Sequence, residues 1–445
     1  MSKAAWFLLG LLLALPPAAA PGADAAGWRL GREPQAYILD NGLTVVLQRD
    51  QSAPITVAQL LVRGGDRDDP PGLSGLSYLA ARLGLEITEQ SSLQKLMDLG
   101  SSFSLSAGGD YSLVTIRSLS RHFDATLAVV AGMIREPLVS DLRVDGLKDL
   151  MRHLQKTEAE NPVALMRKIL AGSFYGAAAY GAARYGDEAS LARIGRKEIQ
   201  AFLRSHYVAG NMVAVVVSDL DEAAIRPVLA RRLAGIAPGE TPPSRPSLPR
   251  RPPQPDRAVA RQTAQVLVSL TVQLPELNAG NFVLAALLET WLGKGIGSRL
   301  WGLRSRGGLA YGVNAELQPN REAMLLSVSL KTDVRRSAEA QAELERLMKE
   351  AVAGGSATPE LEAAKAYVRA DFWRENETRE RRAATLAFLE GTGLSYRLGG
   401  DFARLLDEVS LESFNGFLRT WLAPERWFTL RIGPVGEASL DQALK

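Results

Sequence analysis

The sequence of 445 residues predicts an α+β protein with two homologous domains joined by a proline-rich linker. Three observations support this fold class. Strand patterns precede runs of helical patterns in each half, the two halves resemble each other, and prolines cluster between them. Strands followed by helices, without strict βαβ alternation, are typical of a mostly antiparallel sheet with helices packed on one face. A chain of this length also exceeds what one hydrophobic core usually fills.

The first half opens with a strong β-hairpin signal. Two apolar runs, at 37–39 and 43–47, flank Asp40-Asn41-Gly42, a turn sequence that joins antiparallel strands. Apolar alternation and helical periodicity then predict the remaining elements. The further strands are at 56–62, 103–107 and 111–116, and the helices are at 91–99, 125–134, 144–157 and 162–174.

The second half repeats the first. Phe202-Leu203-Arg204 recurs as Phe417-Leu418-Arg419 within an ungapped match, and each copy runs into an apolar strand. A match at constant offset favours duplication over a chance likeness between amphipathic helices. The strands predicted here are at 265–272, 311–315 and 324–330, and the helices are at 279–292, 336–353 and 359–379.

The prolines between the halves set the domain boundaries. From residue 237 they recur in turn-forming contexts with no apolar periodicity between them, which predicts an extended linker. We therefore divide the chain into a leader at 1–25, an N-terminal domain at 26–236, a linker at 237–257 and a C-terminal domain at 258–445.

The leader has the features of a secretory signal peptide. Lys3 precedes a short apolar run at 4–15, and Ala23-Asp24-Ala25 fits the small-x-small cleavage rule. The run is too short for a stable membrane span, although an uncleaved anchor is the alternative. We expect an exported, periplasmic protein with no stable membrane insertion. The chain has no cysteine, so no disulfide stabilises it.

Composition excludes two classes of function. The net charge is +3, and the sequence has no basic stripe with interleaved aromatics of the kind that indicates nucleic-acid binding. The only histidines are His122, His153 and His206, so no two lie four residues apart on one helix. A His-x-x-Glu-His zinc helix needs that spacing, because it places both imidazoles on one face.

Several segments resemble the insulinase or pitrilysin family of zinc peptidases, which includes the subunits of mitochondrial processing peptidase. The segments are 40–46, 64–70, 160–162 and 358–365, and they follow one another in the family's order. They are similar to its opening hairpin, the loop before its zinc helix, the break after its third-ligand helix and a helix start in its second domain. The resemblance implies that the two domains form half of a clam-shell chamber.

The chain departs from this family at the metal ligands. The resemblance places Gly75, Tyr78 and Leu79 where the family has His, Glu and His. Asp145 and Asp149 are the carboxylates nearest the third ligand position, and a lone carboxylate does not bind zinc tightly. His153 on the same helix is interpreted as a surface or packing residue rather than a ligand. We therefore expect no zinc in this chain and a zinc ion in a partner.

The sharpest match to the family runs from Ser298 to Tyr311. Arg304 and Tyr311 occupy the positions of a paired arginine and tyrosine. The resemblance implies that this pair faces the zinc site across the chamber and holds the substrate carbonyl. A guanidinium and a phenol O–H suit that role, because they stabilise the negative charge that develops on the carbonyl oxygen. The alternative is that Arg304 caps a helix and Tyr311 fills a strand position.

Two further segments are candidate substrate contacts. The loop at 293–298 lacks the Walker spacing and follows a helix, so we interpret it as a helix C-cap and turn rather than a nucleotide site. It also resembles a glycine-rich loop that touches substrate in the family's non-catalytic subunits, which makes Gly295 and Gly297 candidates. Ser104 lies in a segment that resembles the edge strand along which the family pairs an extended peptide.

Two functions remain open. In the first, the chain is the non-catalytic subunit of an exported heterodimeric metallopeptidase and is inactive alone. A paralogous partner supplies zinc and the general base, and this chain supplies Arg304 and Tyr311. In the second, it is a non-enzymatic peptide-binding or scaffolding subunit with the same fold. The arginine–tyrosine pair favours the first, because a scaffold has no chemical need for it.

Overall fold

A computed structural model describes residues 32–85, 89–176, 179–243, 249–250, 252, 254–295, 297–305 and 308–434. The leader at 1–25, with its predicted cleavage site, lies outside these residues. In the described part of the chain, no helix combines the length and the apolar character needed to cross a membrane.

The first half forms a six-stranded sheet, and most of its helices pack in one core against that sheet. The strands are β1 (Gln35–Ile38), β2 (Thr44–Arg49), β3 (Ile55–Arg63), β4 (Ser102–Ala107), β5 (Tyr111–Leu119) and β6 (Met212–Ser218), in the order β1-β2-β6-β3-β5-β4. The helices are α1 (Leu76–Leu85), α2 (Gln90–Asp98), α3 (Phe123–Arg135), α4 (Asp141–Glu160), α5 (Pro162–Tyr175), α6 (Glu188–Arg193), α7 (Arg196–His206) and α8 (Glu222–Leu233). The predicted hairpin is confirmed as β1 and β2, which pair antiparallel.

The second half forms a five-stranded sheet. The strands are β7 (Asp256–Ala260), β8 (Gln265–Leu274), β9 (Gly312–Pro319), β10 (Met324–Asp333) and β11 (Phe428–Gly433), in the order β7-β11-β8-β10-β9. The helices are α9 (Ala279–Gly293), α10 (Trp301–Ser305), α11 (Ser337–Gly354), α12 (Thr358–Glu375), α13 (Arg379–Thr392), α14 (Leu398–Glu408) and α15 (Leu411–Trp421). Strand β7 begins inside the segment 237–257 that the prolines predict as a linker.

The two sheets share one topology, in agreement with the internal repeat. Without β1, the first sheet reads β2-β6-β3-β5-β4, which corresponds strand by strand to β7-β11-β8-β10-β9. The parallel pair falls at the same place in both sheets, between β2 and β6 and between β7 and β11, and the other pairs are antiparallel. The α+β fold class with two homologous, mostly antiparallel sheets is confirmed.

Each sheet is covered on its second face by a helix from the other half. Helix α13 of the second half places Ala383, Leu386 and Ala387 against the first sheet. Helix α5 of the first half packs on the second sheet, where the rings of Phe174 and Phe428 meet edge to face at 5.9 Å. Since burying one large apolar side chain contributes about 1.5–3 kcal/mol, these exchanged helices bind the halves into one unit.

One predicted helix is divided in the structure. The predicted helix at 359–379 is two helices, because α12 ends at Glu375 and α13 begins at Arg379. The Thr378 hydroxyl accepts a hydrogen bond from Arg381 N at 3.2 Å and so caps the new helix. The break changes the direction of the chain and lets α13 cross to the first sheet.

Candidate functional site

Gly75, which stands where a zinc helix would have its first histidine, has no room for a side chain. Its φ is +89°, and a Cβ there would lie 2.7 Å from Met151 Cε and 2.8 Å from Gly186 N. The Asp69 carboxylate accepts hydrogen bonds from Gly75 N and Ser77 N, both at 2.7 Å, and fixes the start of α1. Burial raises the pKa of Asp69 to about 8. The backbone at this point is set by packing, not by a metal.

The other two positions carry side chains that pack in or against the core. Leu79 is fully buried in the core of the first half, and the Tyr78 ring meets the Tyr185 ring edge to face at 5.2 Å. From α4, the side chain that reaches Gly75 is the fully buried Met151. The residues present therefore do not fit a zinc ion.

The two candidate carboxylates of α4 lie at the protein surface. Asp145 and Asp149 are exposed, and Asp149 pairs with Arg152 at 2.7 Å on the helix surface. His153 is exposed, so of the two roles expected for it, surface or packing, it has the surface one. Among the residues that the structure describes, no three histidine, cysteine, aspartate or glutamate side chains are grouped so that they could hold a metal ion.

We expect Gly75→Ala to destabilise the fold by about 2–3 kcal/mol, because a left-handed conformation and an overpacked core both penalise a side chain. Denaturant unfolding measures the change. Gly146→Ala is the matched control, since a Cβ on that glycine of α4 meets no atom within 4 Å. The control should be neutral or slightly stabilising. A Gly75→Ala protein as stable as the wild type would contradict this account of the site.

Arg304 and Tyr311 lie at the surface of the second half. Arg304 is exposed at the end of α10, with its guanidinium carbon 5.1 Å from the centre of the Trp301 ring. Tyr311 precedes β9 and its N–H donates to Lys331 O at 2.9 Å, so its backbone extends the sheet. Its side chain is 65% exposed. Among the contacts of the described residues, none joins Arg304 to Tyr311, and neither side chain belongs to the core.

The remaining candidates are placed as follows. Ser104 is exposed on β4, which pairs only with β5 among the described strands and so forms an edge of the first sheet. Gly295 has a φ of +82° and forms the predicted turn after α9, where Ser298 Oγ donates to Gly295 O at 2.8 Å. A Cβ added at Gly297 would meet no atom within 4 Å, and the φ of Gly297 is outside the left-handed region. The structure does not bring Ser104 and the two glycines into contact.

A buried polar cluster at the junction of the halves was missed from the sequence. Arg67 forms ion pairs with Glu322 and, at 3.5 Å, with Asp110. The Tyr180 hydroxyl lies 2.5 Å from Asp110 Oδ1 and 3.0 Å from Glu322 Oε2. Burial raises the pKa of Asp110 to about 6, although the Tyr180 hydrogen bond and the Arg67 charge oppose it. No pattern in the sequence links these residues, because they are far apart along the chain.

Two cavities flank β9. One, of about 460 Å³, lies in the second half and is lined by the rings of Phe282, Phe372, Phe388 and Phe402. The other, of about 360 Å³, lies where α5 of the first half meets β9 and β10 of the second, and it borders the polar cluster at Tyr180. We call this second space the interdomain cavity.

Two family models match the chain. The model described as "Insulinase (Peptidase family M16)" matches residues 44–187, and the one described as "Peptidase M16 inactive domain" matches residues 193–368. Together they cover well over half of the chain.

Curated relatives are distant. An uncharacterized zinc protease of Rickettsia felis is 22% identical over 62% of this chain and 68% of its own length. Cytochrome b-c1 complex subunit 1 of Mus musculus is 22% identical over 51% of this chain, which spans about half (48%) of that protein. The alpha subunit of the mitochondrial-processing peptidase of Homo sapiens is 23% identical over 41% of this chain and 36% of its own length.

Solved structures share the fold over nearly the whole chain. A peptidase M16 inactive domain from Pseudomonas fluorescens aligns with a TM-score of 0.84 and 21% identity, over 91% of this chain and 98% of that one. The periplasmic protease PqqL from Escherichia coli aligns with a TM-score of 0.73 and 17% identity, over 97% of this chain and 49% of that one. The resemblance found in the sequence is confirmed: this chain is a peptidase-like, non-catalytic member of the insulinase (M16) family.

Proposed function

We propose that this chain is the zinc-less subunit of an exported heterodimeric metallopeptidase. A paralogous partner supplies the zinc ion and the general base for peptide hydrolysis. This chain supplies Arg304 and Tyr311, which bind the substrate carbonyl and stabilise the charge on its oxygen, and it closes half of the chamber. Ser104 on the edge strand and the loop with Gly295 and Gly297 contact the peptide.

The observation that carries the proposal is the contrast between two sites in one chain. The metal-ligand positions are filled by packing, since Gly75 cannot bear a side chain and Leu79 is fully buried. Arg304 and Tyr311 instead hold their side chains out of the core, with Tyr311 65% exposed. Neither a large exposed tyrosine nor an exposed arginine is needed for folding, and both groups are donors that suit a developing oxyanion.

Assembly and export have separate support. Two relatives are named as subunits of larger complexes, the alpha subunit of a processing peptidase and subunit 1 of a cytochrome complex. The leader at 1–25 has the charge and apolar pattern of a secretory signal. A neighbour of the same fold is described as a periplasmic protease.

Reconstitution tests the proposal. The partner to express is a paralogous chain with an intact His-x-x-Glu-His helix, sought first in the neighbouring reading frame. We expect each purified chain alone to leave an unstructured test peptide uncut and the mixture to cut it. Metal analysis should find zinc in the partner and less than stoichiometric zinc in this chain. One tightly bound zinc per isolated chain, or cleavage by this chain alone, would overturn the proposal.

A second candidate function is a non-enzymatic peptide-binding or scaffolding subunit. The relative named as a cytochrome b-c1 complex subunit is the observation that favours it. The two functions differ in the part played by Arg304 and Tyr311. A complex with a zinc-bearing partner in which replacement of both residues leaves turnover unchanged would favour the scaffold.

A further inference from the structure

The cavity of about 460 Å³ in the second half is lined by phenylalanine rings that come from four different helices. They are Phe282 of α9, Phe372 of α12, Phe388 of α13 and Phe402 of α14. The ring centres of Phe282 and Phe388 lie 5.8 Å apart, and those of Phe372 and Phe402 lie 4.6 Å apart. Phe282, Phe372 and Phe388 are only half-buried, so part of each ring is accessible to a molecule from solvent. We call this space the aromatic cavity.

The aromatic cavity and the interdomain cavity occupy equivalent places in the internal repeat. The exchanged helices α5 and α13 begin after the capping residues Asn161 and Thr378. Counted from these caps, residues of α5 that line the interdomain cavity correspond to residues of α13 that line the aromatic cavity. The pairs are Arg167 with Ala384, Lys168 with Thr385 and Ala171 with Phe388. At equivalent positions, the second half therefore lacks two positive charges and gains an aromatic ring.

The charged side chains that line the aromatic cavity pair with one another. Lys294 Nζ lies 2.9 Å from Glu289 Oε2 and 3.4 Å from Asp371 Oδ2. Arg381 lies 3.5 Å from Glu375. Each charged group among the described lining residues thus has an opposite charge close by. A charged ligand would lose hydration on entering and would meet no uncompensated counter-charge.

An uncharged aromatic ligand matches this lining, because aromatic rings pack favourably against one another, edge to face or offset. We propose that the aromatic cavity binds a small, uncharged aromatic molecule. A cavity of about 150 Å³ holds one benzene ring, so a volume of about 460 Å³ has room for two or three rings. This volume also lies within the range of small-ligand sites.

The ligand would bind next to a helix that joins the two halves. One face of α13 packs on the first sheet through Ala383 and Ala387, and Ala384 and Phe388 of the same helix line the cavity. A ligand that binds only the folded chain should therefore raise its temperature of unfolding. The inference goes beyond the proposed peptidase function and does not rest on it, since the arginine–tyrosine pair does not line the cavity.

The test is a fluorescence titration of the isolated full chain with N-phenylnaphthylamine, an uncharged three-ring fluorophore that brightens in apolar surroundings. We expect saturable binding of one molecule per chain. Anilinonaphthalene sulfonate, which adds a negative charge to the same rings, should bind at least roughly tenfold more weakly. Phe388→Ala should raise the Kd of the uncharged probe at least roughly fivefold by removing one ring.

A double variant tests the charge of the lining. Ala384→Arg with Thr385→Lys gives α13 the residues that α5 has at the equivalent positions, and neither wild-type side chain is buried. It should reduce the preference for the uncharged probe over the sulfonate at least roughly tenfold. The matched control is Ala363→Arg with Ala366→Lys, which adds the same charges at exposed positions of α12 outside the cavity. The control should keep the wild-type preference.

Three titration results would overturn the inference. They are no saturable binding of the uncharged probe by the wild-type chain, equally tight binding of the sulfonate, and an unchanged preference in the folded double variant at 384 and 385. Size-exclusion chromatography examines a different occupant. We expect the same molecular mass with and without the probe, whereas a dimer that the probe dissociates would show that a second copy of the chain covers the cavity.

Discussion

Replacing Tyr311 by phenylalanine should lower kcat of the reconstituted heterodimer by roughly 10²–10³-fold, the usual effect of removing one oxyanion donor. The KM should change little, because the hydrogen bond strengthens as charge develops on the carbonyl oxygen and contributes less to ground-state binding. Steady-state kinetics on a defined peptide measure both constants. Since the Tyr311 side chain is 65% exposed and outside the core, the substitution should leave unfolding unchanged.

Arg304→Met should also lower kcat. If both groups contact the same oxygen, the double variant should lower kcat by less than the product of the two single-variant factors. The matched controls are Tyr396→Phe and Arg335→Met. The first removes the hydroxyl of a tyrosine packed near α13, and the second removes an exposed arginine of the same half. Both controls should retain wild-type kcat. A Tyr311→Phe heterodimer with wild-type turnover would remove Tyr311 from the mechanism and leave the scaffold function as the better description.

Asp50→Asn should destabilise the folded chain by about 3–5 kcal/mol, the usual cost of removing one partner from a buried ion pair. Asp50 lies between β2 and β3 of the first half and pairs with Arg379, at 3.3 Å, and with Arg382, both from α13 of the second half. The three side chains are 12%, 7% and 8% exposed. The asparagine would leave two buried guanidinium groups without a counter-charge. Denaturant unfolding measures the loss.

The pH dependence gives a second readout of the same residue. Burial raises the pKa of Asp50, but hydrogen bonds from Ser52 and Arg379 and the charge of Arg382 lower it by a larger amount, so the net pKa lies well below the ordinary value of 3.8. A carboxyl group whose pKa is lowered by folding stabilises the fold at any pH above its unfolded-state pKa. That stabilisation is lost as the pH falls through its folded-state pKa. On acidification from about pH 6 to about pH 3, the wild type should therefore lose more stability than Asp50→Asn.

The control for this prediction is Asp401→Asn, which breaks the exposed pair between Asp401 and Arg404. Those side chains are 52% and 58% exposed, so solvent screens their attraction and the change should stay below about 1 kcal/mol. Equal losses in the two variants would show that the contact between Asp50 and α13 does not join the halves.

The fold was predictable where local signals agree. Asp40-Asn41-Gly42 between two apolar runs specifies the hairpin, and the repeat of the Phe-Leu-Arg triplet anticipates the shared topology of the two sheets. Strand β7 was missed because it is short and mostly exposed, so it lacks apolar alternation. The break at Thr378 was missed because the apolar pattern runs through it and only the capping hydroxyl marks the helix start.

The sequence by itself determined the family, and it determined that Gly75, Tyr78 and Leu79 replace a zinc helix, because metal chemistry depends on residue type at fixed local spacing. Only the tertiary structure decided the rest. It showed that packing against Met151 leaves Gly75 no side-chain space, that α5 and α13 are exchanged between the halves, and that phenylalanines of four different helices line one cavity. These contacts join residues distant in the chain, and local periodicity carries no information about which distant residues meet.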